Sequence, residues 1–83
     1  MIAIQISEDA DWALFEKIAD TLQIEFGGIW TQKLDGFDQR YWDLMIDGQR
    51  LTLHLEHYLG VSVMIQEGSE LFAHRIRRLL QLD

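Results

Sequence analysis

The chain contains no cysteine and no proline. Without cysteine there is no disulfide frame, no thiolate metal ligand and no thiol nucleophile. Without proline, no strand edge carries a residue that simply blocks further pairing. No apolar run approaches the 18 residues of a membrane-spanning helix. The opening "MIAIQISEDA" has neither the basic start nor the long apolar centre of a secretory signal, so a cytoplasmic location is the expectation.

Positive charge is also scarce. Seven Lys and Arg stand against 14 Asp and Glu, a net charge of −7. Residues 1–47 hold ten acidic and three basic side chains, whereas residues 48–83 are balanced. Such a chain repels phosphate backbones and anionic membrane surfaces, which argues against nucleic-acid and membrane partners. A cationic partner would be steered to the N-terminal half, although acidic charge is also a simple route to solubility.

What is present is a globular composition, 48% apolar and 25% charged over 83 residues. One α+β domain spanning 1–83 is expected, burying only about 60–65% of its unfolded surface around a thin core.

"IAIQI" alternates as a strand does. Ser7 offers an N-cap, and Leu14, Phe15, Ile18, Ala19 and Leu22 then recur at helical spacing, predicting a helix from about Asp9 to Gln23 that ends near Gly27-Gly28. "IWTQKL" reads as a second strand and "DGFDQR" as a loop. "YWDLMI" and "QRLTLHLE" flank Asp47-Gly48, the strongest short-range hairpin signal, because a type I′ turn needs positive φ at both central residues. That turn pairs Leu44 with Leu51, Trp42 with Leu53, Asp43 with Thr52 and Tyr41 with His54, keeping apolar and polar faces apart. A three-residue loop Tyr58-Leu59-Gly60 would pair Leu55 with Val63 and Leu53 with Ile65. The last helix starts at Gly68-Ser69 with Ser69 as N-cap, carries a stripe of Phe72, Ile76, Leu79 and Leu80, and ends among Arg75, Arg77 and Arg78. The predicted order is β-α-β-β-β-β-α. It describes a two-layer sandwich, a mostly antiparallel sheet of four or five strands with both helices on one face.

The densest chemistry is His54-Leu55-Glu56-His57. Strand periodicity sends His54 and Glu56 to one face and His57 to the other or into the loop, so the three do not converge on an ion. No further ligand set is spaced to complete a zinc site, and nothing in the pattern calls for a cofactor. On the face opposite the leucines the register gathers Tyr41, Asp43, Thr52, His54 and Glu56, with Arg50, Ser62 and Met64 nearby. A histidine flanked by carboxylates is a candidate general base. However, a wet sheet face displays just such residues, and no nucleophile, phosphate loop or oxyanion arrangement accompanies them. Trp42 reads as core; Trp12 and Trp30 are expected to enlarge a thin core, with interface anchoring as the alternative.

Across "YWDLMIDGQRLTLHLEHYLGVSVMI", residues 41–65, the chain resembles a family of small proteobacterial proteins of unknown function. The shared features are the Trp42 strand, the run at 53–58 and the strand after it. The resemblance implies a small bacterial protein and no activity.

The expectation for function is a non-enzymatic module that binds a protein or a second copy of itself through the open sheet face or a free edge. Tyr41, Asp43, Arg50, Thr52, His54, Glu56 and Met64 would line that face, with Met45 exposed beside them. An inhibitor or immunity-type protein that docks its acidic half on a basic partner is the alternative. An enzyme using His54 with Asp43 or Glu56 as an acid/base pair is a further one.

Overall fold

The computed structural model describes residues 1–66 and 69–82. Among them, five strands and two helices run in the order β1 (Ile2–Ser7), α1 (Trp12–Phe26), β2 (Ile29–Asp35), β3 (Gln39–Ile46), β4 (Gln49–Glu56), β5 (Gly60–Ile65) and α2 (Glu70–Leu79). This is the expected α+β order. The strands form one antiparallel sheet, β1-β5-β4-β3-β2, so β1 returns to pair with β5 rather than with its sequence neighbour.

The β3–β4 hairpin has the register read from its turn. Leu44 faces Leu51, Trp42 faces Leu53, Asp43 faces Thr52 and Tyr41 faces His54. Asp47 and Gly48 both have positive φ, 47° and 82°, as the type I′ turn demands. The β4–β5 register differs from expectation by two residues: Leu55 pairs with Val61 and Leu53 with Val63. The loop is His57-Tyr58-Leu59, closed by a Leu59 N–H that donates to the Glu56 carbonyl at 3.1 Å. Gly60, with φ at 84°, already belongs to β5 opposite Glu56. A type I turn followed by a left-handed glycine makes this bulged hairpin. Because the slip is an even number of residues, every side chain keeps its expected face.

The first helix starts later than Ser7 suggested. Ser7 is the last residue of β1, and its hydroxyl accepts from the Asp9 N–H. Asp11 caps α1 instead, accepting from the Leu14 N–H at 3.0 Å. The helix runs three residues past Gln23 because Phe26 still has a partner, the Phe72 ring of α2 at 5.1 Å. Ser69 caps α2 as expected. The expected start at Gly68 lies outside the described residues.

Both helices contribute to a single core. Phe15, Ile18, Ala19 and Leu22 of α1 and Phe72, Ala73 and Ile76 of α2 meet Ile4, Trp42, Leu44, Ile46, Leu51, Leu53, Leu55, Val61, Val63 and Ile65 of the sheet. Aromatic and cationic side chains close the β2 side of this layer. The Trp42 ring meets Phe15 and Trp30 edge-on at 5.0 and 5.5 Å. Lys33 Nζ lies 4.3 Å over the same ring, and the Arg40 guanidinium stands within 5.1 Å of Trp12, Phe15 and Trp42. The two indole N–H groups donate to Asp35 Oδ1 (2.7 Å, from Trp42) and Gln23 Oε1 (2.9 Å, from Trp30). Arg40, and then Trp42, hold the Asp35 carboxyl below its usual pKa by hydrogen bonding. Trp42 is therefore core. Trp30 packs against that core, whereas Trp12, at the start of α1, is exposed and lies over the Arg40 guanidinium.

Candidate binding face of the sheet

Alternation from the buried leucines assigns the other face of the sheet. It displays Ala3 and Gln5 from β1, Ser62 and Met64 from β5, Arg50, Thr52, His54 and Glu56 from β4, and Tyr41, Asp43 and Met45 from β3. All seven residues singled out from the sequence stand here, in adjacent cross-strand positions.

Their environment is drier than a wet face implies. Thr52 and His54 are buried, 7% and 8% exposed, because each lies on the central strand between side chains of β3 and β5. The Thr52 hydroxyl donates to Asp43 Oδ1 at 2.6 Å. The Tyr41 ring stacks on the His54 imidazole, centroids 4.3 Å apart and planes 18° from parallel. Glu56 Oε2 approaches His54 Nε2 to 3.4 Å without hydrogen-bond geometry, which leaves Nε2 buried and unpartnered among the described residues. Arg50 is exposed, while Tyr41, Asp43, Glu56 and Met64 are half-buried.

Thr52 engages Asp43, so Glu56 is the carboxylate within reach of His54. Burial lowers the His54 pKa below its ordinary 6.5, and the Glu56 charge opposes this more weakly. The folded site therefore favours neutral imidazole. His57 lies in the turn beyond β4, exposed and edge-on to Tyr58. Among the described residues no three His, Asp or Glu side chains gather where a metal ion could be held.

A pH dependence follows. Below pH 6.5 the unfolded chain takes up a proton that folded His54 resists. Stability therefore falls as pH drops through that value, and levels off only below the folded site's own pKa. Substituting His54→Phe keeps the ring and removes the proton. The wild-type melting temperature should drop more than the variant's between about pH 7.5 and pH 5. Parallel curves would contradict this account; His57 and His74 are common to both proteins and cancel.

Two apolar members of the face were not legible in the sequence. Ile29 and Leu34 of β2 pair with Met45 and Tyr41 and share their side, 71% and 53% exposed. Strict alternation from Ile29 puts Leu34 on the opposite face. A register shift between Trp30 and Gln32 brings both to the same side, and no local residue announces it.

The β2 edge itself is blunted by that bulge and by Lys33, and β1 also shifts register between Gln5 and Ser7. A separate hollow of about 270 Å³ opens between the α1 C-terminus, the α2 N-terminus and the β3–β4 turn. It contains none of the face residues, and its Arg75 already lies over the Phe26 ring at 5.1 Å.

The model of a family described as "Protein of unknown function (DUF3630)" matches residues 1–81. The chain belongs to the DUF3630 family. Membership extends the likeness seen at residues 41–65 to almost the full sequence and assigns no activity. No curated protein and no solved structure matches the chain. Among the described residues, no helix is long and apolar enough to cross a membrane.

Proposed function

We propose that the chain is a protein-binding module whose contact surface is the helix-free face of its sheet. The supporting observation is the set of apolar side chains left there: exposed Ile29 and Leu34 beside half-buried Tyr41, Met45 and Met64. Exposed apolar side chains gathered on one face of a small protein favour an interaction site, and Tyr and Met are among the residues enriched in interfaces. With bulges and Lys33 blunting the outer strands, contact through the face is favoured over strand addition at an edge.

A second reading rests on α1 and the loop before it. Glu8, Asp9, Asp11, Glu16, Asp20 and Glu25 are all exposed there, with Lys17 the basic side chain of the helix. An inhibitor-type protein would use such a surface to steer a basic partner.

One experiment separates the two. The photoreactive residue p-benzoylphenylalanine is placed at Met64 on the sheet face, or at Ile24 on the outside of α1, and irradiated in fresh native lysate at low and at high salt. Adducts from Met64 and few from Ile24 are the expected result. Adducts from Ile24 that vanish as salt is raised would favour the acidic helix and overturn the sheet-face reading.

A further inference from the structure

The open face carries its charges in an order that matters for pairing. On β4, Arg50 stands at one end and Glu56 at the other, with Thr52 and His54 between them. Asp43, the remaining carboxylate of the group, is occupied by the Thr52 hydroxyl. A second copy can lie face to face with this sheet about a two-fold axis in either of two simple ways. If the axis runs along β4, Arg50 meets Arg50 and Glu56 meets Glu56, and both contacts repel. If it runs across the strands between Thr52 and His54, Arg50 of each copy lies over Glu56 of the other. Opposite charges then meet twice, and β2 and β3 cover the same strands of the second copy, with Tyr41 of each lying over Asp43 of the other.

The area is compatible with such a contact. Five strands of six to eight residues, spaced by about 4.8 Å and rising about 3.4 Å per residue, give a footprint of roughly 500–600 Å². A corrugated face has more accessible area than its footprint, which brings each copy near the ~600 Å² needed at the lower end of specific interfaces.

We infer that the partner of the sheet face is a second copy of this chain, packed strand-antiparallel so that Arg50 of each copy pairs with Glu56 of the other. The inference rests on the sheet-face reading and supplies its partner. Reversible association, rather than an obligate dimer, is what an interface of this size supports.

Sedimentation equilibrium of the purified chain over a hundredfold concentration range tests it. The apparent mass should rise from the monomer's 9.8 kDa toward twice that value. Arg50→Glu and Glu56→Arg each place like charges together at two contacts, so each should raise the dimer dissociation constant about tenfold or more. An equimolar mixture of the two variants restores opposite charges at both contacts and should associate at least as tightly as wild type. Arg50 is exposed, so Arg50→Glu remains readable should Glu56→Arg not fold.

A strict monomer throughout, a dimer indifferent to Arg50→Glu, or a mixture no tighter than its parts would each overturn the inference. Its failure is distinct from that of the underlying reading: adducts from Met64 to a different protein, with a monomeric chain in the centrifuge, would leave the face a binding surface and remove the second copy.

Discussion

Replacing Gly60 with alanine should cost this protein a large share of its stability, whereas the same change at Gly48 should cost clearly less. The two glycines have nearly the same positive φ, 84° and 82°. Alanine in the left-handed region costs about 1–2 kcal/mol at either position. What differs is the space around them. A Cβ at Gly48 would meet nothing within 4 Å. At Gly60 it would fall onto the Ser7 carbonyl oxygen and within 3 Å of the Glu8 backbone. Backbone cannot swing aside as a long side chain can, so the β1–α1 connection would have to leave β5. The combined cost should be at least ~3 kcal/mol. At 0.05–0.15 kcal/mol per residue, a chain of this length has on the order of 4–12 kcal/mol in total. Thermal melts of Gly60→Ala and Gly48→Ala measured side by side check the claim. Equal shifts would show that conformation alone, and not the close approach to Ser7, decides the cost.

Phe15→Ala is the second large effect. The ring is fully buried, meets Trp42 edge-on, and lies under the Arg40 guanidinium. Truncation removes the transfer energy of a benzyl group and leaves a cavity that the rigid sheet cannot collapse into, together about 3–5 kcal/mol. At roughly 4–8 °C per kcal/mol for a domain of this size, the melting temperature should fall by at least about 12 °C, or the cooperative transition should vanish. Phe15→Leu refills most of the space and should cost less than half as much. A small shift for Phe15→Ala would mean that α1 is held to the sheet mainly by Ile18 and Leu22.

Where chemistry was local, the sequence announced the structure. Asp47-Gly48 set both the turn and the register of β3 on β4, because few dipeptides adopt positive φ twice in a row and the pattern tolerates no one-residue slip. That is why the cluster around His54 could be named by residue. The β4–β5 register was read two residues out, since a glycine after a turn can end the loop or begin the strand; faces survived because two is the period of the strand. Ser7 and Asp11 are both competent caps, and only the β1–β5 pairing shows that Ser7 belongs to the strand. The position of β1 itself, the β2 bulge and the dryness of Thr52 and His54 were not legible. Each depends on neighbours contributed by distant parts of the chain, and single-residue preferences carry no record of them.

The placement of β1 against β5 also sets an order of events. Strands β2 to β5 form a continuous meander, each paired to the next across a short loop, so these contacts close quickly and locally. Ile2 must instead find Ile65 across nearly the full sequence, and the entropy of closing so long a segment opposes it until the meander offers a finished template. The seam between the first and last strands is therefore the natural final step of assembly, and the first to part when the protein breathes.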